Sequence, residues 1–317
     1  MIDSAFAQQV QEYYPEGLTG VLSLGGTRTT YILETNRQAT DPGKIDSFEA
    51  YVSHAFERAM NISKMFLDIG TSNLIVNMFW YLGFTERGDK YAQQAVKMCL
   101  TAIDDERLEF YKANNVDPYF VGLDTLLHLP EDHIGYGLGQ AFLEFQNSWD
   151  YQPNRRKLIW EVVAIPLFSI WNAHTVMGEA EHAQLDQMIE GESDLKNIHD
   201  RLYQYYSKAL YGLDIPIPHF YLGSNRNGDI KLRANYPIAL LCGEPTRFFY
   251  TPYPSLFIKA DTVKQIIYDL MHGKRLRSEK LDYTGQMTPE LATAEYNRIL
   301  ALSDDKYSTV GLTRGIE

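Results

Sequence analysis

A loop that combines glycines with a cation follows an early apolar run of the sequence. The run TGVLSL (19–24) predicts a buried strand, and two glycines open the next segment, GGTRTTYILE (25–34). Glycines let the backbone approach a ligand closely, while Thr27 and Arg28 offer hydroxyl, amide and guanidinium donors. This combination suits the binding of a phosphate group. A plain glycine turn with a solvated arginine explains the same residues.

Two further segments carry charged residues beside predicted strands. ERGDKY (86–91) lies at a helix entrance, where acidic residues also stabilise the helix by capping it. YLGSNRNGDIKLR (221–233) runs from a predicted strand into a polar loop. Its cations Arg226, Lys231 and Arg233 are suited to a diphosphate, although a solvated loop is the more frequent explanation.

The elements that must position these residues alternate along the chain. Strand-like runs occur at 19–24, 73–82, 117–123, 219–223 and 247–251, and helical stripes lie between and after them. This order predicts an α/β fold with a central, mostly parallel sheet flanked by helices. Ligands in such folds bind at the carboxyl ends of the strands, which directs attention to the loops after 24, 80, 122 and 223.

The sequence predicts a single domain over residues 1–317. No repeat, low-complexity tract or charge block marks a linker. Within the domain we expect an N-terminal helix over 1–18 and a C-terminal helix and tail over 288–317. An apolar run at about 158–171 contains Glu161 and Pro166 and is too short for a membrane span.

Charge and cysteine content narrow the class of protein. The net charge of −12 and pI near 5.2 argue against nucleic acid or anionic lipid as a general partner. Cys99 and Cys242 have no CxxC neighbour, so a disulfide framework or thiolate zinc site is not expected. The N-terminal residues lack the features of a signal peptide, and we expect a cytoplasmic protein without an integral membrane segment.

Taken together, the motifs resemble a known family. Their order is GGTRTTYILE, NISKMFLDIG, ERGDKYAQQAVKMCL, LGSNR and FFYTPYPSLFIKADTVKQIIYDL. The same order and similar spacing occur in the tuberculosinol synthase, tuberculosinyl transferase and kolavelool synthase-like branch of the cis-prenyltransferase (undecaprenyl diphosphate synthase-like) superfamily. The resemblance runs over roughly residues 20 to 310 and is weakest at about 130 to 215.

The resemblance implies a fold, a substrate class and an assembly. The expected fold is a central parallel sheet with an elongated apolar tunnel beside a diphosphate site, in a homodimer. The implied substrate is an allylic isoprenoid diphosphate, and Mg²⁺ is the implied cofactor. In the tuberculosinol branch a bicyclic diterpenyl diphosphate ionises, and water or a nucleoside captures the cation.

The predicted phosphate loop departs from the family's pattern at two positions. That pattern, Asp-Gly-x-Arg-Arg, is matched by Gly25, Gly26, Thr27, Arg28 and Thr29, so the glycine and the first arginine agree. The aspartate that helps to bind Mg²⁺ is replaced by glycine, and the second arginine by threonine. Losing one carboxylate removes a hard oxygen ligand from beside the phosphate.

Three interpretations of this departure stay open. Another acid takes the role of the missing aspartate, with Asp89, Glu86 or Glu34 as the candidates. Alternatively, cations alone hold the diphosphate, with Arg28, Arg87 and Arg226 taking its charge. In the third interpretation the chemistry is lost, and the protein binds an isoprenoid or stabilises a partner subunit.

Aromatic residues supply the remaining candidates. Tyr51 aligns with an active-site tyrosine of the tuberculosinol branch. Tyr91 follows Asp89 by two positions, and we expect both to line the same side of the site. Tyrosine, phenylalanine and tryptophan make up 41 of 317 residues, which suits either an ordinary core or a cavity that stabilises a carbocation. An ExxH pair at Glu179 and His182 has no second copy, and the glycines of 134–140 do not match a nucleotide-binding motif.

The sequence therefore predicts a terpene synthase or prenyl-transfer enzyme. It would ionise an allylic isoprenoid diphosphate, of diterpenyl size, and release a terpene alcohol, a hydrocarbon or an adduct. The alternatives are a non-catalytic isoprenoid-binding or partner subunit of the same fold, and an enzyme that acts on a neutral isoprenoid by acid-initiated chemistry.

Overall fold

Six parallel strands form one sheet in the part of the chain that the structure describes. The structure is a computed structural model that describes residues 4–36, 45, 47–84, 88–224, 246–273 and 288–304. The strands are β1 (Leu18–Ser23), β2 (Thr71–Phe79), β3 (Val116–Val121), β4 (Arg156–Val162), β5 (Phe220–Ser224) and β6 (Arg247–Thr251). Their order in the sheet is β3-β4-β2-β1-β5-β6, and every pairing is parallel. The predicted α/β class with a parallel sheet is confirmed.

Within the described residues, helices precede β1, separate the successive strands from β1 to β5 and follow β6. They are α1 (Ser4–Tyr13), α2 (Thr27–Tyr31), α3 (Phe48–Asp68), α4 (Asp89–Leu100), α5 (Asp105–Ala113), α6 (Leu123–Leu127), α7 (Ile134–Ser148), α8 (Pro166–Val176), α9 (Glu179–Ile189), α10 (Leu195–Tyr211), α11 (Ala260–His272) and α12 (Pro289–Asp304). Within the described ranges, none of them combines the length and the apolar character needed to cross a bilayer.

Both faces of the sheet are buried, because side chains alternate along each strand and helices cover both sides. On the first face Leu22 of β1 belongs to the same apolar cluster as Phe66 of α3 and Ile267 of α11. On the second face Val21 packs in a smaller cluster with Tyr211 of α10. All six residues of β1 are buried, which is typical of a central strand. The loop after β1 therefore begins at a fully buried strand in the centre of the sheet.

Two predicted boundaries differ from the structure. The run 73–82 was predicted as one strand, but β2 ends at Phe79, and Tyr81–Phe84 forms a 3₁₀ turn with a hydrogen bond from the Gly83 amide to the Trp80 carbonyl (2.8 Å). The apolar run at 158–171 contains two elements, the end of β4 and the beginning of α8. Pro166 separates them because proline is well suited to the first turn of a helix and not to a central strand.

Gly20 permits the close packing of β1 against β5. A Cβ atom at Gly20 would lie 2.1 Å from Cζ of Phe220, whose ring stacks on Phe66 at a centroid distance of 5.3 Å. The ring of Phe220 thus occupies the space that a side chain on β1 would need. This contact holds α3, and with it the residues at the start of α3, against the sheet.

We predict that Gly20→Ala destabilises the protein, because the added methyl group displaces a fully buried ring. The expected loss is about 1–3 kcal/mol in the free energy of unfolding measured by denaturant titration. Gly137→Ala is the matched control, since a Cβ there has no atom within 4 Å and alanine favours a helix interior. Equal stability of the two variants would contradict the packing described here.

Candidate functional site

The loop after β1 is held in place by the segment that follows β6. The backbone amide of Gly25 donates to Oγ of Ser255 (3.0 Å), and the backbone amide of Ser255 donates to the carbonyl of Gly25 (3.1 Å). Gly26 has a φ of 79°, a conformation that favours glycine, and a Cβ on it would lie 2.6 Å from Cβ of Pro254. Gly26 is therefore required by the local geometry, and Gly25 is held through its backbone groups.

Thr27 and Arg28 begin the short helix α2 directly after the glycines. Gly26 is the residue before the helix, and the Arg28 side chain is exposed at the carboxyl end of β1. The hydroxyl of Thr27 is 2.7 Å from the hydroxyl of Tyr51 on α3, a hydrogen-bonding distance. The structure thus brings together two features predicted separately, the glycine loop and Tyr51.

Aromatic rings extend from Tyr51 in two directions. On one side Tyr51 meets Tyr31 edge to face, with ring centroids 5.7 Å apart. On the other side Phe48 contacts both Tyr51 and Tyr91, again at 5.7 Å, and Tyr91 approaches Phe79 at the end of β2 (6.5 Å). This aromatic row, Tyr31–Tyr51–Phe48–Tyr91–Phe79, joins the ends of β1 and β2 through α3 and α4. It gives the site one apolar, electron-rich wall beside its polar loop.

Asp89 is the first residue of α4, two positions before Tyr91. Its side chain is exposed, and its carboxylate makes no hydrogen bond or ion pair with the residues that the structure describes. An acid in the first turn also stabilises a helix through the helix dipole. Glu86, Arg87 and Arg226, the other predicted charged residues of the site, lie outside the described residues.

Glu34, the third acid considered at the sequence level, is already engaged by Arg58 and His54. Its carboxylate accepts hydrogen bonds from Nε (3.2 Å) and Nη2 of Arg58, and Nε2 of His54 lies 2.8 Å from its Oε2 atom. These contacts join the π-helical turn Ile32–Asn36, which follows α2, to the first three turns of α3. Glu34 is therefore a poor substitute for the missing aspartate, because its charge is already balanced within the protein.

The acidic side chains near the loop determine which ligands a metal ion could have there. Across the described ranges, no three His, Cys, Asp or Glu side chains cluster closely enough to hold a metal ion. Mg²⁺ often binds through one or two carboxylates together with substrate phosphates, and Asp89 is a carboxylate of this kind.

Burial raises the pKa of the Cys99 thiol to about 12, which is the opposite of what a thiolate ligand or nucleophile needs.

Sequence reasoning missed four residues around this site: Phe48, His54, Arg58 and Ser255. Ser255 contacts a glycine 230 positions away, and no local pattern reveals such a partner. His54 and Arg58 were detectable in principle, since they follow Tyr51 at intervals of three and seven and therefore share its face of α3.

Comparison with known proteins relates this chain to one curated relative and to one fold. No protein-family model matches the sequence. The chain is 26% identical over 279 residues to the tuberculosinyl adenosine transferase of Mycobacterium tuberculosis (strain CDC 1551 / Oshkosh), covering 86% of this chain and 80% of the relative. The crystal structure of lavandulyl diphosphate synthase from Lavandula x intermedia, in complex with dimethylallyl diphosphate, matches with a TM-score of 0.50 at 10% identity, over 80% of this chain and 95% of that one.

The chain has the cis-prenyltransferase-like fold. The predicted fold is thereby confirmed, and the curated relative agrees with the resemblance found in the motifs. The two matched proteins are, by their names, a transferase and a diphosphate synthase, in agreement with the predicted enzyme of the prenyltransferase type. The roles assigned to individual site residues, the homodimer, the cytoplasmic location and Mg²⁺ stay predictions.

Removal of the Ser255 hydroxyl tests how the loop is held. Ser255→Ala leaves the buried Gly25 amide without its acceptor, which should cost about 1–3 kcal/mol of unfolding free energy. Ser148→Ala removes an exposed hydroxyl that donates to a carbonyl of its own helix and should change stability by less than about 0.5 kcal/mol. Denaturant titration of both variants makes the comparison, and a Ser255→Ala protein as stable as the control would refute this constraint.

Proposed function

We propose that this cis-prenyltransferase-like protein is a terpene synthase or prenyl-transfer enzyme. It ionises an allylic isoprenoid diphosphate, of diterpenyl size, and releases a terpene alcohol, a hydrocarbon or an adduct. The observation that carries the proposal is the hydrogen-bonding distance between Thr27 and Tyr51, because it joins a phosphate-type loop to a wall of aromatic rings. The similar transferase from M. tuberculosis acts, by its name, on a tuberculosinyl group and adenosine, which supports a diterpenyl donor.

The polar end of the site suits the diphosphate. Arg28 is a permanent cation with a planar set of donors, and the Thr27 hydroxyl lies beside it at the carboxyl end of a parallel strand. Departure of the diphosphate places negative charge on its oxygens, so fixed donors at this point favour ionisation. We assign Arg87 and Arg226 to the same anion, as the sequence predicted.

The aromatic row suits the cationic fragment that remains after ionisation. The faces of aromatic rings attract cations, and a wall of such rings excludes water that would capture the cation early. Tyr51 lies at the junction, since its hydroxyl is beside the loop and its ring contacts Tyr31 and Phe48. We therefore assign Tyr51 and Tyr91 to control of the cation.

Asp89 is our choice for the metal ligand that replaces the family's aspartate, with Glu86 as a second candidate. Mg²⁺ bound there would neutralise charge on the departing diphosphate. The rival proposal is a non-catalytic isoprenoid-binding or partner subunit, and the observation that favours it is Gly25 itself, at the position where the family has its metal-binding aspartate. The two proposals predict different results in one measurement, because the enzyme releases pyrophosphate and the non-catalytic subunit does not.

Replacement of Arg28 tests the diphosphate assignment. Arg28→Ala should lower kcat/KM for pyrophosphate release about 10- to 100-fold, because each charge-assisted hydrogen bond contributes roughly 1.5–3 kcal/mol. The assay measures pyrophosphate from geranyl, farnesyl, geranylgeranyl and bicyclic diterpenyl diphosphates. Arg201→Ala is the control, since that arginine pairs with Glu192 beside α10. Unchanged turnover in Arg28→Ala would remove this residue from the site, and a wild-type protein that binds every donor without release would favour the rival.

The role of Asp89 is tested by titration of the metal ion. Asp89→Asn should raise the Mg²⁺ concentration for half-maximal pyrophosphate release about tenfold or more, as loss of an oxygen ligand weakens metal binding. Asp261→Asn is the matched control, because Asp261 is also an exposed acid in the first turn of a helix. Equal Mg²⁺ requirements of the two variants would reduce Asp89 to a helix-capping role, and release in the presence of chelator would favour ionisation by cations alone.

A further inference from the structure

The contacts among His54, Glu34 and Arg58 form a carboxylate–histidine pair beside the proposed site. Nε2 of His54 lies 2.8 Å from Oε2 of Glu34, a close polar contact although without the alignment of a hydrogen bond. Arg58 holds the same carboxylate through two nitrogens. A histidine oriented by an acid that is itself fixed by a third group is the arrangement expected of a general base.

His54 adjoins the residues already assigned to the site. It lies three positions after Tyr51 on α3, so both side chains project from one face of that helix. The buried ring of Tyr31 contacts both, with centroids 5.7 Å from Tyr51 and 5.6 Å from His54. His54 is therefore next to the end of the aromatic row that meets the phosphate-type loop.

The second ring nitrogen of His54 remains available. Nδ1 makes no hydrogen bond with any residue that the structure describes, and the side chain retains 19% of its exposure. With the acidic partner beside Nε2, the tautomer protonated at Nε2 is favoured, which leaves the lone pair on Nδ1. Imidazole is also the side chain whose ordinary pKa lies nearest to neutral pH. The other polar groups near the loop fit the task less well, because Glu34 is held by Arg58 and a phenol hydroxyl is a weak base.

We propose that His54 is the catalytic base that takes the proton from the nucleophile, with Glu34 and Arg58 as positioning residues. This inference rests on the proposed function. The bond between the allylic carbon and the diphosphate oxygen breaks, and its electron pair leaves with the diphosphate. A lone pair of water, an alcohol or an amine then forms the new C–O or C–N bond. The proton of that O–H or N–H group passes to Nδ1, and its bonding electrons stay on the nucleophile.

The proposal also identifies the acceptor by its chemistry. A base is needed only where the product retains an oxygen or nitrogen that loses a proton. We therefore expect an alcohol or an N- or O-linked adduct as the main product. A hydrocarbon is expected as the product that grows when the base is removed, because the cation then persists until it loses a proton from carbon.

The test compares two measurements on the same reactions, pyrophosphate release and the ratio of captured product to hydrocarbon. In His54→Gln, whose amide can still contact Glu34, we expect release within about threefold of the wild type and a ratio lowered about tenfold or more. His54→Ala should show the same lowered ratio, and added imidazole should restore it. Lys64→Gln is the control, because it removes an exposed ion pair with Asp68 on the same helix and should change neither measurement.

Each outcome decides between the claims. An unchanged ratio in His54→Gln at normal release overturns the role of His54 and leaves the proposed function intact. Two other results would also overturn the role of His54 and leave the proposed function intact. One is a lowered ratio that imidazole does not restore, and the other is a wild-type protein that makes only hydrocarbon. Absence of pyrophosphate release by the wild type from every donor overturns the proposed function, and the role of His54 with it. If His54→Gln does not fold, as judged by circular dichroism, His54→Ala with and without imidazole carries the test.

Discussion

The paired hydrogen bonds between Gly25 and Ser255 are the constraint on which the rest of the site depends. They connect the end of the central strand to the segment after the edge strand, across 230 positions of sequence. Pro254 lies so close that no side chain fits on Gly26. The direction in which Thr27 and Arg28 leave the sheet is therefore set by a distant segment, and the contact between Thr27 and Tyr51 follows from that direction.

This constraint also bears on the missing aspartate. Gly25 lies where the family pattern has its metal-binding acid, and its buried amide is used to hold the loop. The acids that the sequence offers in its place lie on neighbouring elements, Asp89 at the start of α4 and Glu34 in the turn after α2. Only the first of these carboxylates is without a cation partner among the described residues.

Much of this arrangement was predictable from sequence. The remainder could not be predicted, and the reasons are physical. Continuous apolar runs identified β1, β3 and β5, because buried strands leave that pattern, and the aromatic run at 247–251 identified β6 at the edge of the sheet. The run at 158–171 was ambiguous, since a buried strand and a buried helix look alike until proline separates them. Tyr51 and the glycine loop were identified by family resemblance. The Glu34–His54–Arg58 contacts depend on how α2 packs on α3, and only tertiary structure reveals such pairs.

The central claim is that this protein breaks the bond between an allylic carbon and a diphosphate by ionisation. The most direct measurement is pyrophosphate release by the wild-type protein from a matched pair, an allylic diterpenyl diphosphate and its saturated counterpart of equal length. Ionisation needs allylic stabilisation of the cation, so we predict release from the first and none above background from the second. Equal release from both would indicate hydrolysis at phosphorus, and tight binding of both without release would indicate a carrier; either result would contradict the account.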